Sequence, residues 1–280
     1  MKLLVESQRR VLLRSSAGST LLLERTQQLR RSGRRLFSAS ERPLKLFQYQ
    51  ICPFCNIVKS TLDFTKAPYE TIEVNPLTKA EISSEPLSGE YKKVPIALLD
   101  DEQINGSDDI IKRVLDMPRT DSFLEANGIN AERFQDSEWR NFAAVDLAQL
   151  LYPNICGSLG DSYRAFDYVN NVESFSRMQQ ISVQYLGMLA MYMAAAKVKK
   201  RIGITDERAA LSEALDRFER DGLQGGRLQF SSGLDKPDLG DLAVFGVLRS
   251  VRGLDAHDFA IKSRPGPLKD WYAKMAEETR

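Results

Sequence analysis

Apolar and polar positions change their period several times along the chain. At 44–50, LKLFQYQ alternates like a half-buried strand, and NIVKSTLDFTK at 56–66 switches to helical spacing. YETIEVN (69–75), VPIALLD (94–100) and DEQIN (101–105) read as further strands, whereas 77–87 and SDDIIKRVLD (107–116) read as helices. Met117-Pro118 and the polar stretch after it read as a linker, and everything beyond is helical in pattern. Between 134 and 151, Phe134, Trp139, Phe142, Ala143, Leu147, Leu150 and Leu151 recur near the 3.6-residue period until Pro153, which is expected to stop the helix. Leu211, Leu215 and Phe218 mark one face over 205–222. In 238–252, Asp238 is placed to cap a helix and Asp241 sits at its third position. The densest apolar run, Tyr185 to Ala196, falls short of the ~20 residues of a membrane span. It reads as the central helix of a bundle, with Lys197, Lys199, Lys200 and Arg201 complementing its dipole and Gly203 ending it.

The order β-α-β-α-β-β-α over 43–118 is that of a thioredoxin-like fold, and 119–280 then forms a second, all-helical domain, so the fold class is α+β. Residues 1–42 differ from both. They hold 10 basic and 3 acidic side chains, are rich in Ser, and carry Arg35-Leu36-Phe37 before Ser38-Ala39 as a protease site would. This is the pattern of a mitochondrial presequence. A retained membrane-surface helix or a disordered basic tail are the alternatives, the protein then being membrane-associated or cytoplasmic.

Composition narrows the function. With 42% hydrophobic and 28% charged residues, disorder and collagen are excluded. Outside the leader, 29 basic residues face 35 acidic ones, an excess of six negative charges. Nucleic acid is therefore not expected as a partner, since phosphate binding needs a concentrated basic surface. The cysteines are Cys52, Cys55 and Cys156, and His257 is the one histidine. That inventory disfavours a secreted disulfide framework, a zinc site and a Ser-His-Asp triad, so no metal is expected.

The remaining chemistry gathers at Cys52-Pro53-Phe54-Cys55, between a strand and an amphipathic helix. Pro53 suits the first helical position, where its missing N–H costs nothing. Cys52 then stands at the helix start, where unpaired N–H groups and the dipole favour a thiolate. Cys52 is the expected nucleophile, and Cys55, one turn in, the more buried partner. Val94-Pro95 opens a strand, where proline needs a reason. A cis Pro95 would turn the backbone of Val94 toward the cysteines to pair with a bound peptide. Asn105-Gly106-Ser107-Asp108 precedes a helix, with Ser107 as N-cap and Gly106 admitting a ligand to the backbone amides. Together with Cys52 and Val94 this outlines a site for glutathione, its γ-glutamyl carboxylate at Gly106 and Ser107. Tyr49, three residues before Cys52, either aims its hydroxyl at the thiol or packs on the sheet. Cys156 reads as a helix-end thiol, His257 as a capping or surface residue, and Asp146 receives no role.

LFQYQICPFCNIVKSTLDF, PYETIEVNPL, Lys-Val-Pro, YPNI, AFDYV and above all KPDLGDLAVFGVLRSVRGLDA resemble the membrane-associated type 2 prostaglandin E synthases, a glutathione-transferase-like family, over 43–278. The resemblance implies a glutathione-transferase-like helical domain, homodimerisation, glutathione binding, and isomerisation of prostaglandin H2, a lipid endoperoxide, to prostaglandin E2. It implies Cys52 as the reactive thiol with Tyr49 beside it, Val94, Gly106 and Ser107 as glutathione contacts, and haem as a further ligand. Two departures stand out. Gly106 replaces an acidic residue, for which Asp108 is the substitute at hand, and the leader replaces a hydrophobic segment that holds relatives at membranes, leaving at most peripheral membrane association. A glutathione-dependent thiol-disulfide oxidoreductase and a non-catalytic haem- or glutathione-binding protein are the rival readings.

Overall fold

The computed structural model describes residues 43–280. The expected presequence and its cleavage site lie outside the described residues. Strand β1 (Leu44–Gln48) leads into α1 (Pro53–Phe64), and β2 (Tyr69–Glu73) returns parallel to β1, with Leu46 opposite Thr71. A parallel pair requires such a crossover helix. β3 (Ile96–Leu99) pairs antiparallel with β1 and with β4 (Glu102–Asn105), giving the order β2-β1-β3-β4, and α2 (Ser107–Leu115) follows. This is the expected thioredoxin-like sheet. β3 is buried along its whole length, as an inner strand covered on both faces must be.

The helix expected at 77–87 is not formed. A single 3-10 turn, Ala80–Ile82, stands there instead. Asn75 Oδ1 accepts from the N–H groups of Leu77 and Thr78, and Lys79 takes a left-handed conformation at φ 54°, so the backbone donors are spent on a turn.

The linker expected after Met117 is also helical: α3 (Pro118–Ala126) starts at once, with Pro118 at its first position. α4 (Ala131–Gln135) precedes a long helix, α5, over 138–156, whose middle, Phe142–Leu147, is a π-helical stretch. Pro153 does not stop it. The helix runs to Cys156, and Asn154 Nδ2 donates to Leu150 O at 2.8 Å and Glu207 O at 2.8 Å, tying down the turn around the proline. Next come α6 (Leu159–Ala165), α7 (Arg177–Ile202), α8 (Glu207–Arg217), α9 (Leu239–Arg249) and α10 (Pro267–Glu278).

α7 corrects the reading of Tyr185–Ala196 as a bundle core. Tyr185, Leu186, Leu189 and Met193 are between 46% and 56% exposed, so an apolar stripe faces outward. By length and composition alone, α7 also suffices to cross a membrane, which the shorter run did not suggest. Its end is as expected, Gly203 being left-handed behind the basic last turn.

α9 is the helix that fixes α1. Asp238 caps it reciprocally with Asp241, as the sequence indicates. A Cβ added at Gly246 would stand 2.7 Å from Asn56 O and from Ile57 N, so only glycine lets the two backbones meet this closely. Arg249 Nη1 then donates to Asp63 Oδ2 at 2.6 Å, and Tyr69 Oη donates to Asp63 Oδ1 at 2.7 Å. Two helices and a strand are thereby locked behind the cysteine turn.

Candidate active site

The turn before α1 is shaped by its own backbone. Cys52 N donates to Tyr49 O at 3.0 Å, and Asn56 fastens the next turn, its N–H donating to Cys52 O and its side-chain amide to Cys52 O and Gln50 O. Cys52 is the N-cap residue and Pro53 the first helical residue. The cysteines are free thiols, Cys52 half-buried and Cys55 buried.

Their chemistry diverges as the sequence implies, through a cause that it does not show. Cys52 is held below the usual thiol range first by the hydrogen bond from the Cys55 thiol, and then by the N–H groups of Cys55 and Phe54 and the charge of Lys59, all against the cost of burial. Cys55 is pushed well up by burial and by the neighbouring sulfur. Of the two, Cys52 is the more readily ionised and Cys55 is the donor to it.

Cys52 opens into a cavity of about 490 Å³. One wall carries Tyr49, Cys52, Pro53, Phe54 and Val94. The helical part adds apolar lining from Leu151, Ile155, Phe166 and Met191, and Lys79, Lys92 and Lys93 also line the space. Burial pushes Tyr49 and Tyr152 each up to about 12, with the Cys52 charge adding to both, so both phenols stay protonated as hydrogen-bond donors. Tyr152 and Tyr168, from the helical part, are cavity residues that the strand–turn–helix pattern does not reveal.

The Val94–Pro95 bond is cis, and Pro95 O accepts from Gly106 N at 3.0 Å. Cys55, Pro95, Gly106, Ser107 and Asp108 do not line the cavity. Ser107 is not the N-cap; Gly106 is, at φ 88°, and Ser107 is the first helical residue. Asp108 is ion-paired to Arg140 at 2.5 Å, which occupies the carboxylate that was to replace the missing acid at 106. Cys156 is a buried thiol at the end of α5. His257 is buried rather than surface-exposed, at 5% exposure, and packs on Tyr272 away from the cavity. Asp146 is half-buried and 3.5 Å from Arg217.

Glu73 was not singled out in the sequence. It accepts from Gln50 N at 2.8 Å, from Gln48 Nε2 at 3.1 Å and from Tyr168, a residue that also lines the cavity. Burial outweighs these bonds and pushes its carboxyl up to about 7. A carboxyl raised above its ordinary 4.5 favours the folded state while protonated, and that contribution is lost as pH rises from 4.5 through about 7. The expected result is that the stability difference between wild type and Glu73→Gln shifts against wild type across this window. Urea titrations at pH 4.5 and 8 check it; an unchanged difference would contradict the assignment.

Residues 46–120 match the glutathione S-transferase N-terminal domain family. The four-stranded sheet and the helical part that follows give the chain the thioredoxin-like, glutathione-transferase-like fold. A solved glutathione S-transferase-I bound with lactoylglutathione shares the fold at a TM-score of 0.52, with 15% identity over 84% of this chain and 95% of that one. Along the sequence, the chain is similar to prostaglandin E synthase 2 of Mus musculus, 29% identical over 90% of this chain and 75% of the relative. It is likewise similar to prostaglandin E synthase 2 of Danio rerio, 28% identical over 85% and 71%.

Proposed function

We propose that the protein is a glutathione-dependent isomerase that converts a lipid endoperoxide of the prostaglandin H2 type to the hydroxy-ketone of the prostaglandin E2 type. The observation that carries this reading is one sulfur, favoured as thiolate, at a cavity with a largely apolar lining. Relatives named prostaglandin E synthase 2, of whose length the match covers 75% and 71%, support it.

The chemistry balances without an outside oxidant. The Cys52 thiolate attacks one peroxide oxygen, an S–O bond forms, and the O–O bond breaks to an alkoxide that takes a proton. The phenolate left by that protonation then takes H+ from the carbon bearing the S–O group, the C–H electrons form the C=O, and the S–O electrons return to sulfur as thiolate. Tyr49 and Tyr152, held protonated, are the donors for the alkoxide. The lysines fit the carboxylates of glutathione or of a fatty acid.

Cys55 does not enter those steps except as hydrogen-bond donor to Cys52. In product analysis with prostaglandin H2 and glutathione, Cys55→Ser is expected to retain isomerisation, reduced about tenfold at most. Thiol-disulfide exchange should collapse in the same variant, since it needs a resolving thiol. Loss of both together would favour the oxidoreductase reading.

Haem has donors in the same cavity, Cys52 and Met191 for iron and the lysines for propionates, and a Soret titration with glutathione tests it. No step above passes through it. The outward stripe of α7 supports the homodimer. Leu189→Glu is expected to shift the species seen by light scattering to a monomer, whereas vesicle binding lost in that variant would assign the stripe to membrane association. A mitochondrial location is proposed from the leader alone, and import of the full chain tests it.

A further inference from the structure

On the other side of Ile51 and Tyr168, both of which also line the thiol cavity, lies a second cavity of about 620 Å³. Its character is different. Lys59, Arg164, Arg249 and Arg252 line it against Asp63 and Asp167. Most of these charges are already matched: Arg249 to Asp63 at 2.6 Å, and Arg164 to Asp161 at 2.6 Å and Asp255 at 2.9 Å. Asp167 accepts from Asn170.

Lys59 and Arg252 have no ion-pair partner among the described residues. Lys59 carries its charge unfavourably, lowered by burial and by Arg249, although Glu73 and Asp63 act in the opposite sense. A half-buried cation in that state gains from an anion brought to it. The polar wall adds an independent signal. Gln48 is 6% exposed and its Oε1 is a buried acceptor without a donor, although its Nε2 is engaged by Glu73.

We propose that this cavity binds a small phosphomonoester, with Lys59 and Arg252 on the phosphate and a hydroxyl of the organic part donating to Gln48 Oε1. Two unmatched cations call for a dianion, and a phosphomonoester is close to that at neutral pH. A guanidinium fork and an ammonium lining one cavity suit its oxygens. The volume is that of an organic ligand rather than of a bare ion. This cavity is distinct from the one into which Cys52 opens and its proposed ligand stands independently of the isomerase reading, although the Lys59 charge also lowers the Cys52 thiol.

The test is calorimetric titration of the full chain with glucose 6-phosphate, glucose and inorganic phosphate, repeated in saturating glutathione. Glucose 6-phosphate is expected to bind, glucose not to, and glutathione to leave the affinity unchanged. Arg252 is exposed, so Arg252→Glu leaves the fold intact. It should weaken glucose 6-phosphate at least about tenfold while glutathione binding persists. No binding at about 10 mM, equal binding by Arg252→Glu, or displacement by glutathione would each overturn the site. Equal affinity for inorganic phosphate would overturn its assignment to an organic ester.

Discussion

Cys52→Ser is expected to lower turnover of prostaglandin H2 at least ~100-fold, about 2.7 kcal/mol of transition-state stabilisation. A serine hydroxyl in the same position is not ionised at neutral pH, and its oxygen is a poor match for a peroxide bond. The substitution removes one polarisable atom and little volume, so the fold should stand. The Cys55 thiol and the N–H groups of Phe54 and Cys55 would then face a neutral oxygen, and the stabilisation they give an anion has nothing to act on. Product yield per unit of folded protein is the measurement. Equal yield from wild type and variant would remove Cys52 from the reaction.

The second large effect is on stability. Asp241 is wholly buried, and its two carboxylate oxygens accept from Ser231 N, Ser232 N, Asp238 N and Trp271 Nε1 at 2.8 to 3.3 Å. Asp241→Ala leaves those donors buried without partners and breaks the reciprocal cap of α9. The expected cost is about 3–5 kcal/mol, a large fraction of the ~5–15 kcal/mol that holds a typical protein folded. α9 also carries Gly246 and Arg249 against α1, so the cysteine turn should loosen with it. Denaturant midpoints with unchanged slope give the number, and a loss under about 1 kcal/mol would contradict the account.

The strands around the cysteines and the Asp238–Asp241 cap were readable because each signal is local, alternation and an acid three residues into a helix, whereas the cis Val94–Pro95 bond was readable only from the proline's place in a thioredoxin-like sheet downstream of the two cysteines. Where reading went astray, a tertiary or turn-level contact decided. Asn75 captures two backbone donors and prevents a helix at 77–87, and Asn154 steadies the chain past Pro153. Apolar density at 185–196 said that the helix seeks cover, not that this chain provides it. The site itself was half legible. Tyr49, Cys52, Pro53, Phe54 and Val94 meet at the cavity, but Tyr152, Tyr168 and Glu73 join from segments whose proximity no periodicity encodes.

The most direct measurement is the pH dependence of Cys52 alkylation by iodoacetamide, followed by peptide mass spectrometry. A midpoint below the free-thiol value of ~8.5 is expected, with Cys55 unreactive over the same range. Cys55→Ser should alter that midpoint, because the Cys55 thiol is the largest contributor to the lowering. A midpoint at or above ~8.5, or Cys55 reacting first, would contradict the thiolate on which the proposed chemistry rests.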